Sequence, residues 1–152
     1  MAKKIDPSNK KKRRGWLIPL GIVLLLALFG LVMTVLDAPA RREIAEMEIG
    51  QIDFGSLCDG TYTGVYSGSK SHMRDVSLEV IVQNGAVTSV TILSGTLDQD
   101  GNPVELNNGV TAQAFLNRAL EAQTLEIDAV SGATLTSKAL LKALENALLQ
   151  AY

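Results

Sequence analysis

The chain has 152 residues, a formal net charge of −2 and a single cysteine, Cys58. That length holds one modest domain and an appendage, and one cysteine excludes an internal disulfide, leaving Cys58 as a lone thiol. The charge is divided: residues 1–36 carry +6, and the remainder carries seven basic against 15 acidic residues.

Residues 1–15 form a basic segment in which Lys3, Lys4, Lys10, Lys11, Lys12, Arg13 and Arg14 face only Asp6. Trp16 to Leu36 contains no charged residue and only Pro19 as a potential breaker. Those 21 residues span about 31 Å as a helix, matching a hydrocarbon core of about 30 Å. The expectation is a single-pass transmembrane helix with the basic flank in the cytoplasm and the C-terminal domain outside. The membrane bilayer is then a partner, and the basic flank serves orientation or anionic lipid rather than nucleic acid. Ala38-Pro39-Ala40 has the small-x-small look of a signal-peptidase site, so cleavage is the competing reading.

Residues 37–53 read as a charged linker or stalk, with Arg41, Arg42, Glu43, Glu46 and Glu48. A domain over 54–152 follows, large enough for one small core. Asp59-Gly60 opens a strand rich in Thr, Tyr and Val through Tyr66, with Tyr62 and Tyr66 read as sheet packing. Val76, Leu78, Val80 and Val82 alternate with polar residues, and Asn84-Gly85 is a strong hairpin signal because both residues accept positive φ. Val87 to Leu93 returns, and strict alternation sets Ile81, Val90 and Ile92 on the opposite face. His72 lies in a polar stretch and reads as a solvated loop residue.

Ser94 to Gly109 reads as a loop. Its Asp98, Asp100 and Asn102 lack the later acidic ligand of a calcium loop, so no metal site is expected. Ala112, Phe115, Leu116, Ala119 and Leu120 then keep helical spacing, as do Leu140, Leu141, Leu144, Ala147 and Leu148. Strands followed by helices give an α+β fold with an antiparallel sheet.

Between the two helical patterns stands Asp128-Ala-Val-Ser131-Gly132-Ala133-Thr134-Leu-Thr136-Ser137. A helix start leaves about four N–H groups without partners and carries the positive end of the macrodipole. Gly132 and Ala133 allow close approach of an anion, and Ser131, Thr134, Thr136 and Ser137 add hydroxyl donors. A phosphate is the natural ligand, with Lys138 as a further cation if the helix begins early enough. The alternative is that the hydroxyls simply cap the helix. No histidine or second carboxylate stands nearby to make the cluster hydrolytic, and no nicotinamide-type glycine pattern occurs.

This segment closely resembles the flavinylation motif of FMN-binding-domain proteins, among them the small flavin-carrying subunits of the Rnf complex and of sodium-translocating NADH:quinone oxidoreductase. Asp59 to Gly64 and the Asn84-Gly85 hairpin are similar to the early strands of that domain. The resemblance implies FMN as cofactor, one per chain, esterified through its phosphate to Thr134 by a separate FMN transferase. It implies that Ser131, Gly132 and Ala133 shape the turn, and that Asp128 belongs to the stretch the transferase reads. An electron carrier with redox partner proteins follows, the chemistry coming from the cofactor rather than from catalytic side chains. Leu97 to Gly109 stands where the complex subunits carry a glycine-rich segment. Two placements therefore stay open, a subunit of such a complex and a stand-alone carrier; a reductase needing a partner chain and a flavin-free accessory module are the other functions.

Overall fold

A 38-residue helix, α1 (Asn9–Glu46), comes first in the structure, a computed structural model that describes residues 9–152. Lys3, Lys4 and Asp6 of the basic segment lie outside the described residues. Every described side chain from Ile18 to Val35 is exposed, in a helix whose apolar window has a mean hydropathy of 2.7. A helix apolar on all sides needs an apolar surrounding, and this one is long and apolar enough to cross a membrane. The chain divides into two units between Ala38 and Pro39. Pro39 has no N–H to give to the preceding helical turn.

The second unit therefore starts at Pro39 rather than at Phe54. Ala40 and Ile44 on the last turns of α1 are buried, and Met47, Ile49 and Ile52 pack against the core. The stretch read as a linker or stalk continues α1 as far as Glu46 and packs on the domain core. Ala38-Pro39-Ala40 lies within α1.

Three antiparallel strands, β1 (Gly60–Tyr66), β2 (Val76–Gln83) and β3 (Ala86–Ser94), form a sheet in the order β1-β2-β3. Asn84 and Gly85 take the expected positive φ, 56° and 74°, and Asp59 Oδ1 accepts from Gly85 N at 2.8 Å, tying the turn to the start of β1. Val76, Leu78, Val80 and Val82 are buried, as their alternation predicts. Val90 and Ile92 differ from expectation. A bulge sets Ile81 opposite Ser89 and Val82 opposite Val87, so Thr88 is an extra residue. One extra residue inverts the facing of everything beyond it, so Val90 and Ile92 pair with Val80 and Leu78 and are buried. Thr88 Oγ1 donates to Ile81 O at 3.1 Å. Tyr66 is buried and Tyr62 packs on the core, so both tyrosines serve the sheet.

A second small hairpin, β4 (Glu105–Asn107) and β5 (Val110–Thr111), begins inside the region read as a loop and ends just past it. Asn108 and Gly109, at φ 50° and 76°, make its turn. Thr111 caps α2 (Ala112–Ala122) by accepting from Ala114 N at 3.2 Å. Phe115, Leu116 and Ala119 are fully buried. The last helix, α3 (Thr134–Leu148), crosses β1 and β2 at very short range. A Cβ on Gly64 would lie 1.9 Å from Ala143 O, so only glycine permits this approach. Burial of the large α3 side chains, each worth about 1.5–3 kcal/mol, holds Thr134 at the rim of the core.

Candidate functional site

α3 begins at Thr134 itself. Ala133 occupies the cap position with φ −126° and ψ 27°, and no side chain caps the helix. The hydroxyls are therefore not acting as caps. The preceding turn is closed by Ala133 N donating to Val130 O at 2.9 Å, with Gly132 at φ 79°, a conformation that L side chains resist. A Cβ at Gly132 would also come within 2.9 Å of Asn107 Nδ2, which donates to Ser131 O at 2.7 Å. The β4–β5 hairpin thus braces the turn from outside.

Ser137 braces it from inside. It is fully buried, its Oγ donating to Ala133 O at 3.0 Å and accepting from Val130 N at 3.1 Å. It is a strut of the turn, not a donor to an anion there. Thr134 is exposed, Thr136 half-buried, and Ser131 and Asp128 exposed. Lys138 also departs from expectation. Its Nζ donates to Ala45 O and Met47 O at 2.5 and 3.2 Å, a cation on the C-terminal carbonyls of α1. Nearby, Glu145 Oε1 accepts from Gly50 N at 3.1 Å and Oε2 pairs with Lys142 at 2.7 Å, so α3 grips residues 45–50.

A cavity of about 290 Å³ opens on the turn, lined by Arg41, Arg74 and the run Gly132 to Thr136. Ser131, Ser137 and Asp128 do not line it. An adjoining cavity of about 320 Å³ shares Arg74, Gly132, Ala133 and Thr136 and adds Met73, Thr96, Val104 and Leu106 together with the acidic Asp75 and Glu105. Thr96 Oγ1 is buried without a hydrogen-bond partner among the described residues, a polar atom able to serve a ligand heteroatom. One hollow is basic and bounded by an uncapped helix start; its neighbour is partly apolar.

The two arginines were not legible as site residues. Arg41 comes from α1, and Arg74 from the loop between β1 and β2. That loop is fastened at both ends. Glu43 accepts from Ser69 N at 2.9 Å and Lys70 N at 3.2 Å, and the Ser69 bond holds its carboxyl below the usual range. Asp75 accepts from Ser67 Oγ at 2.7 Å, Gly68 N at 2.9 Å and His72 Nδ1 at 2.8 Å. Burial pushes the Asp75 carboxyl up, but these bonds outweigh it and the pKa is lowered. His72 is solvated, with its side chain 77% exposed. Asp98 spends one carboxylate oxygen on the N–H groups of Asp100 and Asn102, at 2.9 and 2.8 Å. Among the described residues, no group of three or more His, Cys, Asp or Glu is placed to hold a metal.

No curated protein and no solved structure matches the chain. The family model of the FMN-binding domain matches residues 72–149, a stretch that includes β2, β3, the braced turn and all of α3. With about half its length so matched and the expected α+β arrangement around the turn, the chain belongs to the FMN-binding domain family.

Proposed function

We propose that this protein is a membrane-anchored, extracytoplasmic electron carrier with one FMN attached through its phosphate to Thr134. Family membership supports FMN as the ligand and a flavin-binding electron carrier as the role. The observation that carries the finer reading is the position of the Thr134 hydroxyl. Thr134 is exposed as the first residue of an uncapped helix and borders the basic cavity. A phosphoester there meets the N–H groups and positive pole of the helix.

The residues fit the group. The Thr134 oxygen would form the ester, Gly132 and Ala133 leave room beside it, and Thr136 lies between the two hollows. Met73, Val104, Leu106 and the unpartnered Thr96 hydroxyl would receive the ring system. When bound, FMN supplies one- and two-electron redox chemistry. The chain itself needs only to orient the group and prevent its loss. Asp128 and Ser131, exposed beside the turn, are accessible for reading by an FMN transferase, and the same open face would meet redox partner proteins. The candidate span and the charge difference across it support a cytoplasmic N-terminus and an external domain.

Attachment is tested by intact mass. The chain made together with an FMN transferase is expected to gain the mass of FMN minus water, and Thr134→Ala to abolish the gain. An unchanged wild-type mass refutes the covalent reading. A gain that persists in Thr134→Ala puts the ester elsewhere.

A further inference from the structure

We propose that Arg41 and Arg74 act together as a clamp on the flavin phosphate, so that α1, outside the stretch matched by the family, contributes to the flavin site. This rests on the reading of Thr134 as the attachment residue.

Both guanidinium-bearing residues line the cavity that Thr134 borders. They arrive from separate elements, and the match begins only at residue 72. A phosphodiester keeps one negative charge spread over two non-bridging oxygens. Arginine is charged at every accessible pH and presents a planar fork of donors matched to such oxygens. Lys138, the cation nearest in sequence to the turn, is committed to the α1 carbonyls. The cationic side chains that line the cavity are the two arginines, beside the helix start.

Their relative position is set by two carboxylates. Glu43 lies two residues after Arg41 and holds the backbone of Ser69 and Lys70. Asp75 follows Arg74 and holds Ser67, Gly68 and His72. The α1 end and the β1–β2 loop are thus fastened to each other, and each carries one arginine to the same hollow. Glu43 and Asp75 are positioning residues. Both arginines have further interactions within the protein, and the clamp requires only that they border the cavity.

The test separates phosphate recognition from attachment. Full-length Thr134→Ala protein, made without a transferase and purified in detergent, is titrated with FMN and with riboflavin, which lacks only the phosphate; flavin fluorescence reports binding. FMN is expected to bind more tightly than riboflavin. Arg41→Gln, and separately Arg74→Gln, should each weaken FMN about tenfold, as loss of a charge-assisted bond at a partly open site implies. Riboflavin affinity should stay unchanged. Arg41→Lys, which keeps the charge and loses the fork, should fall between. Equal binding of FMN and riboflavin by the parent, no binding of either, or an Arg41→Gln change that weakens both flavins alike overturns the clamp. The covalent reading is judged apart, by the wild-type mass. A mass gain with an unchanged FMN preference in Arg41→Gln removes the clamp alone. An Arg41-dependent preference without mass gain removes only the ester.

Discussion

The oxygen of Ser137 lies 3.0 Å from Ala133 O and 3.1 Å from Val130 N, inside the core. Ser137→Ala leaves the Val130 N–H buried without an acceptor and should cost about 1–3 kcal/mol. Thr136→Ala, at a half-buried position with no such bond, should stay within about 0.5 kcal/mol. Denaturant titration of the two full-length variants in detergent checks the contrast; equal losses would mean that Ser137 does not hold the turn. Four hydroxyls and a lysine looked alike as phosphate donors in the sequence, because a motif gives spacing but not the direction of a side chain. Tertiary packing turned Ser137 inward and gave Lys138 to the α1 carbonyls. Gly132, whose φ of 79° demands its residue type, was legible locally. Arg41 and Arg74 were not, since no local rule relates residues 57 or more positions away to a turn at 131–134.

Between β1 and β2, Glu43 and Asp75 act through carboxylates whose pKa values are lowered in the fold. A lowered folded pKa stabilises the protein above the unfolded pKa, about 4 for these groups, and the contribution is lost as pH falls through the folded value. The loop should therefore stay fastened at neutral and mildly acidic pH and loosen only below about pH 4. Amide chemical shifts of Gly68, Ser69 and Lys70, followed by NMR on the full chain, should move with midpoints below the ordinary carboxylate range; midpoints above it contradict the fastening. Glu43→Gln should produce the Ser69 and Lys70 changes at neutral pH. The elements themselves followed from periodicity and turn chemistry, with two exceptions of one kind. Val87 and Val90 are both buried, three residues apart in a strand, the mark of a bulge that strict alternation overlooks. Asn108-Gly109 repeats the Asn-Gly signal of the first hairpin, but its flanking strands have only three and two residues, too few to show a period.

For the whole chain, export is the decisive question, and the protein carries its own reporter. Cys58 is exposed and is the only cysteine, so a thiol reagent reads one position. Its backbone N–H donates to Ala151 O at 2.7 Å, which fixes it to the folded domain. With the basic flank inside, a membrane-impermeant maleimide should label Cys58 in intact spheroplasts as fully as after permeabilisation. Protection until lysis would put the domain in the cytoplasm, where a flavin held at Thr134 would meet a different set of redox partners. The same labelled sample decides between anchoring and cleavage. An anchored chain stays in the carbonate-washed membrane at full mass. Cleavage after Ala40 would release a soluble product beginning at Arg41, separating from its helix a buried Ala40 and leaving the proposed clamp residue at a free chain end. Full-length protein in the membrane fraction with externally labelled Cys58 is the expected outcome. A soluble, shortened product would mean that the apolar helix serves only to export the domain.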